Sequence, residues 1–348
     1  MTPARTLLRL STLALALSAA APAAFAQDKV LNLYSARHYQ TDEALYENFT
    51  RATGIRIQRV EADDAGILAR LKAEGTASPA DVILLVDAAR LWRGEQEGLF
   101  QPVKSAVLEA RVPAQFRGGV SAQGVQWWGL STRARLIVYD KSRLKASDVD
   151  SYEKLAAPAL KGQFCVRSGS HPYNLSLFGS MLEHLGAPAT ETWLQGLVAN
   201  MARKPTGGDT DQIKGVASGE CGVALTNSYY YARLLRSARP DERAIAEKVG
   251  VVFPNQSTWG THVNIAGGAV ARHAKHREAA VAFLEYLASD SAQRYFADGN
   301  NEYPIVPGVP MNAALASLGG FKAETVPIAK VGANTAQVQQ MLDRTGFK

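Results

Sequence analysis

Hydrophobic and polar positions fall in blocks along this chain. Val30–Ser35 (VLNLYS) and residues 55–60 read as strands, and 81–86 (DVILLV) is a short, continuously apolar run. Such a run suits a parallel strand buried on both faces. Residues 41–53, 65–73 and 88–97 carry helical periodicity between these strands. Thr41 is a candidate N-cap, and Gly54 and Gly98 follow the periodic stretches as helix stops. This strand–helix alternation predicts an α/β fold, an open parallel sheet with flanking helices.

A long extended stretch, Trp127–Asp140 (WWGLSTRARLIVYD), interrupts the rhythm. Beyond it the pattern predicts a short helix over 149–156, a strand over 163–168 and a helix over 174–185 that stops at Gly186. Helices over 190–201 and 209–218, a strand over 222–226 and a helix over 228–237 follow. Strands over 249–253 and 262–266, helices over 277–289 and 291–296, and a mostly helical 315–348 complete the chain. A second α/β unit therefore begins near residue 135. Neither a repeat nor a low-complexity linker separates the halves, so ordered segments, 128–138 and 250–265, are expected to carry the chain between two lobes. A cleft between lobes is the usual place for a ligand.

The first 26 residues differ in kind. Arg5 and Arg9 precede an apolar run over 10–20, and Ala24-Phe25-Ala26 forms an A-x-A cleavage site. These are the marks of a secretory signal peptide. No cysteine near the cut supports a lipid anchor, and no later stretch approaches the ~18 apolar residues a membrane span needs. Cleavage leaves 322 residues with 36 basic and 32 acidic side chains, a charge of +4. The basic residues are scattered, which argues against a nucleic-acid partner. In an oxidising compartment Cys165 and Cys221 form either one disulfide or two separate buried thiols. They have no CxxC spacing and so give no zinc or redox motif.

The familiar catalytic templates GxSxG, HExxH, GxxxxGK[ST] and GxGxxG are absent. Ser168, Ser170 and His171 share one loop (RSGSH), which is not a triad, and His184 beside Glu183 reads as a surface pair. No enzyme is expected. Tyrosine is the unusual feature. Of 12, several fall at predicted strand-to-helix junctions: Ser35-Ala36-Arg37-His38-Tyr39, Arg167-Ser168-Gly169-Ser170-His171-Pro172-Tyr173-Asn174, and Thr226-Asn227-Ser228-Tyr229-Tyr230-Tyr231. Ligands of open α/β sheets bind beyond the carboxyl ends of the strands. In the first turn of a helix capped by Asn227 or Ser228, Tyr229 and Tyr230 are roughly 100° apart and can face a shared centre. Tyr231 then faces the core, and isolated tyrosines such as Tyr34, Tyr139 and Tyr286 read as packing. A phenol is neutral at pH 7, with a pKa of about 10. A small, highly charged cation displaces its proton, and the resulting hard phenolate suits Fe³⁺ better than Mg²⁺ or Ca²⁺.

At LNLYSARHYQTDEALYENF, DVILLVDAARLWR, GLSTRARLIVYD, CVRSGSHPYNLSL and GVALTNSYYYARL the sequence resembles the periplasmic ferric-iron-binding proteins of bacterial ABC iron importers. The resemblance covers essentially the whole mature chain. It implies a two-lobed type II periplasmic binding protein fold that closes on Fe³⁺ as transported cargo. The lobes it implies are 28–132 plus 262–314 and 133–261 plus 315–348. The ligands it implies are His38, Tyr39, Tyr173, Tyr229 and Tyr230, the four-tyrosine-plus-histidine pattern. His38 either coordinates or stands just off the metal. Tyr39 fills a place where other members use a carboxylate and an exogenous anion, which argues against such an anion here. Fe³⁺ with four phenolates and a neutral imidazole sums to −1, and Arg37, Arg133 and Arg167 are candidates to compensate that charge from outside the ligand set. A monomer in the periplasm that delivers iron to an inner-membrane ABC permease is expected. The competing expectation is a binding protein of the same fold for an organic cation, boxed by Tyr229–Tyr231, or for an anion held by Arg37.

Overall fold

The computed structural model describes residues 29–37 and 41–348. The expected signal peptide, His38 and Tyr39 lie outside the described residues. The first part of the chain runs β1 (Val30–Ser35), α1 (Asp42–Thr53), β2 (Arg56–Glu61), α2 (Asp64–Glu74), β3 (Val82–Leu85) and α3 (Ala88–Gln96). Short β4 (Phe100–Gln101), α4 (Ala106–Arg111) and β5 (Arg117–Gly118) lead into the long β6 (Trp127–Asp140). Then come β7 (Phe164–Cys165), α5 (Pro172–Leu185), α6 (Ala187–Ala199), α7 (Asp209–Ala217), β8 (Val223–Asn227), α8 (Ser228–Leu235), α9 (Pro240–Lys248) and β9 (Val249–Val252). The chain ends with β10 (Val263–Ala271), α10 (Arg277–Leu287), α11 (Asp290–Asn300), β11 (Tyr303–Pro304), α12 (Ala313–Ser317), α13 (Ile328–Ala333) and α14 (Thr335–Thr345).

Strand order follows β2-β1-β3-β10-β6-β8-β7. β1 pairs in parallel with β2 and β3, and β7 pairs in parallel with β8. Antiparallel β10 and β6 lie between these parallel groups. The continuous apolar runs behave as period-2 strands covered on both sides. Leu31, Leu33, Val82 and Leu84 enter one core with Phe49, Phe283 and Phe296. Tyr34, Ile83 and Leu85 point the other way, towards Leu68 and Leu91. β8 divides likewise, Val223 and Leu225 joining Phe178 and Trp193, and Ala224 facing Ile213 and Cys221.

β6 carries the two-lobed design. Up to Ala134 it pairs with β10, and from Arg135 onward it pairs with β8, with Ile137–Asp140 also bonded to β9. One strand thus belongs to both sheets, and the change of partner falls between two adjacent residues. The return crossing follows β9, where Asn255 adopts φ 60° and accepts the Tyr152 N–H at 3.0 Å through Oδ1. The segment after α12 clips onto this crossing: Thr261 donates to the Lys322 carbonyl at 2.8 Å, and Glu324 N–H returns to Thr261 at 2.9 Å.

Several expectations need correction. Residues 149–156 do not form a short α-helix; Glu153–Ala156 is a 3-10 turn and 149–152 are bends and a turn. Their backbone is pinned from outside by Asn255, and Pro158 starts the next turn. The strand expected over 163–168 closes after Cys165, because Arg167 and Ser168 turn their carbonyls to the Asn174 side chain. The region 315–348 is mostly helical as expected, but in three pieces separated at Gly319-Gly320 and just after α13. Helix α9 went unread, although Pro240 at its first position with Asp241 and Glu242 behind it is an N-terminal signature. Thr41 occupies the N-cap of α1 but makes no capping bond, its hydroxyl meeting Asn300 instead. His184 pairs not with its neighbour Glu183 but with Glu324, and stacks on Trp259. Cys165 and Cys221 form a disulfide that ties β7 to the loop before β8.

Candidate metal centre

Two of the three tyrosine junctions can be followed atom by atom, and they converge. α5 begins at Pro172, whose fixed φ and missing N–H suit the first helical position. His171 caps it, Nδ1 accepting the Tyr173 N–H at 3.2 Å. Burial, and then the nearby Arg167 charge, push the His171 imidazole down to about 3, so the ring is neutral and that nitrogen is free to accept. Tyr173 leaves the first turn with its ring edge-on to His171, centroids 4.5 Å apart.

α8 supplies the other side. Its N-cap is Asn227, but the side chain does not cap; Oδ1 accepts from Arg135 Nη1 at 3.1 Å instead. Ser228 accepts the Ala134 N–H at 3.2 Å and so fixes the junction to β6. Tyr229 and Tyr230 follow, their ring centroids 4.3 Å apart. The Tyr229 hydroxyl lies 3.1 Å from the Tyr173 hydroxyl across 56 residues of sequence. Tyr231 turns away, packs near Ile213 and Leu234, and donates to the Ala246 carbonyl at 3.2 Å. Tyr173 and Tyr229 are buried, while Tyr230 is partly exposed. Burial raises the Tyr173 phenol well above its ordinary range, and the Arg133 charge pulls the other way.

Guanidinium groups surround the phenols. Arg133 is buried, lies 5.3 Å from the Tyr173 ring centre and donates to the Val86 carbonyl at the end of β3. Arg167 stands 5.0 Å from the same ring and pairs with Asp209 at 3.2 Å. Arg233, which sequence reasoning passed over, lies 5.0 Å from the centre of Tyr230. Arg37 is held at the first junction between Asp42 at 2.7 Å and Glu302 at 3.2 Å. The structure thus brings Tyr173, Tyr229, Tyr230, Arg133 and Arg167 together.

Asp209 and Arg135 were also missed. Asp209 opens α7 fully buried, accepting the Asn227 N–H at 2.7 Å and pairing with Arg135 at 2.6 Å. The signal for Arg135 was the Arg133-Ala134-Arg135 alternation, which puts both guanidiniums on one face of a strand. Ser168 and Ser170 hydrogen-bond to each other at 3.0 Å, and with His171 engaged in capping no nucleophile–base pair forms. Among the described residues no helix is long and apolar enough to cross a membrane.

Comparison with known proteins places this geometry. The family described as bacterial extracellular solute-binding protein matches residues 44–323. Iron uptake protein A1 of Synechocystis is 46% identical over 322 residues, spanning 92% of this chain and 88% of its own length. A Trichodesmium protein, IdiA (FutA), solved in complex with iron and citrate ligands, superposes with a TM-score of 0.87 at 46% identity, covering 92% of this chain and 100% of its own. The ferric binding protein of Campylobacter jejuni superposes with a TM-score of 0.86 at 34% identity, covering 91% and 100%. Matched through both lobes, the chain belongs to the bacterial extracellular solute-binding proteins.

Proposed function

We propose that this protein captures ferric iron in the periplasm and delivers it to an inner-membrane ABC importer. The observation that carries the reading is the 3.1 Å approach of the Tyr173 and Tyr229 hydroxyls, with the Tyr230 ring centre 4.3 Å from that of Tyr229. Hydroxyls that close share a proton as neutral phenols. Once ionised they repel unless a cation lies between them, and a trivalent cation compensates best. The names of the iron uptake and ferric-binding relatives support the same reading.

The ligands we assign are Tyr173, Tyr229 and Tyr230 from the second lobe and Tyr39 with His38 from the first. Arg133 and Arg167 then offset the excess negative charge of a four-phenolate site, with Arg37 anchoring the segment that leads to His38. Transport, not turnover, is the task. The first 26 residues serve as a cleavable export signal, and the mature chain acts as a monomer. The lobes are 28–132 plus 262–314 and 133–261 plus 315–348, supported by the partner change along β6 between Ala134 and Arg135. They close on the metal by a hinge at the two crossings. The mature protein, incubated with ferric citrate and desalted, is expected to retain stoichiometric iron. Tyr229→Phe/Tyr230→Phe is expected to retain little. Equal retention by both would overturn the assignment.

A further inference from the structure

Arg135 is a buried charge of the second lobe whose two terminal nitrogens serve three side-chain acceptors. It is 1% exposed and sits on β6 at the residue where that strand leaves β10 for β8. Its guanidinium reaches three helix N-termini at once. Nη2 donates to Asn174 Oδ1 at 2.7 Å, in the first turn of α5 and next in sequence to Tyr173. Nη1 donates to Asn227 Oδ1 at 3.1 Å, two residues before Tyr229. The same nitrogen pairs with Asp209 at 2.6 Å, at the start of α7. Asp209 in turn holds the Asn227 N–H at 2.7 Å and Arg167 at 3.2 Å. Asn174 closes the ring by donating to the Arg167 and Ser168 carbonyls at 3.1 and 3.0 Å.

The backbone of Arg135 is fixed as well. Its N–H donates to the His262 carbonyl at 2.9 Å, and its carbonyl accepts the Tyr152 hydroxyl at 2.6 Å. A buried charge confers stability poorly unless it is fully compensated, so a network of this kind is best explained by the geometry it fixes. Here the fixed geometry is the spacing between the α5 and α8 N-termini.

We infer that Arg135 is a positioning residue that sets the distance between Tyr173 and the Tyr229–Tyr230 pair, and so the strength and the electronic character of the phenolate site. This rests on reading the tyrosine cluster as a ferric site. The Arg135 guanidinium bonds to Asn174, Asn227 and Asp209, not to Tyr173, Tyr229 or Tyr230, and acts on those phenols through these three residues. Lysine in its place brings the charge but not the planar fork that serves three acceptors.

The test uses the full mature chain, with ferric citrate as the iron source. Wild type, Arg135→Lys, Asn174→Ala and the double variant are compared by iron affinity in citrate competition, by the phenolate-to-iron charge-transfer maximum and by the melting of the iron-free protein. Asn174→Ala cuts only the α5 arm, so it decides the matter if Arg135→Lys does not fold. Each single variant is expected to bind iron about 10- to 100-fold more weakly, the range for partners that orient metal ligands. Each is also expected to shift the band, and the double variant to lose less than the two losses combined. Lowered melting with wild-type affinity and an unmoved band would overturn the inference, since that is what a merely structural role gives. A wild type that shows no band overturns the ferric reading itself, and the inference with it.

Discussion

The phenol of Tyr173 is the residue on which the chemistry turns. Burial holds its proton on, so with Tyr173 in the proposed ligand set iron has to displace that proton to bind. Uptake is therefore coupled to proton release. With each phenolate formed at the metal, affinity is expected to fall about tenfold per pH unit on acidification. Citrate competition at pH 7.5 and 6.0, with proton release followed in weak buffer, measures this; equal affinities would contradict it. Tyr173→Phe removes a proposed ligand and is expected to weaken iron binding by ~100-fold or more, beyond the range for ligand-orienting partners. The tyrosines were legible in the sequence because each sits at a strand-to-helix junction, a local feature. Asp209 and Arg135 were not, because a buried ion pair depends on which strands and helices face one another, and no short window contains that.

Among the elements, the clip between the 322–324 segment and the second crossing makes its own prediction. Glu324 is buried, which on its own would raise its carboxyl. The attraction of His262 and the bonds from His184, His262 and Ser180 outweigh that and pull it down to about 2. A carboxylate held below its ordinary range stabilises the fold above that range, and the contribution disappears as pH falls from about 4.5 towards 2. Its size is on the order of 3 kcal/mol. Urea unfolding of wild type and Glu324→Gln should differ by about that amount at pH 6, less at pH 3, and converge only as pH reaches about 2. A difference independent of pH would show that the carboxylate charge is not what holds the clip. The disulfide between Cys165 and Cys221 closes a separation of 56 residues and is worth about 4 kcal/mol on chain-entropy grounds. A dithiol-reduced sample should unfold at correspondingly lower denaturant; an unchanged midpoint would contradict this. β6 was readable from end to end because its apolar run has no competing period. Residues 149–156 were not, since their backbone is held by a distant partner, Asn255, that overrides local helical preference.

For the whole molecule, two lobes share a strand that changes partner at Arg135, and the phenol cluster lies close beside that change. The two-unit organisation was visible in the sequence as a break in the strand–helix rhythm near residue 135. The intermingling was not: α13, from the C-terminal segment, packs against both α3 and α5, bringing Gly332 against Trp92. The central claim is that tyrosine phenolates from α5 and α8 bind ferric iron. It is tested most directly by the visible absorption spectrum of the purified mature protein before and after ferric citrate. A phenolate-to-iron charge-transfer band that develops on loading and is absent from Tyr229→Phe/Tyr230→Phe is the predicted result. A wild-type protein that stays colourless after loading would contradict the account.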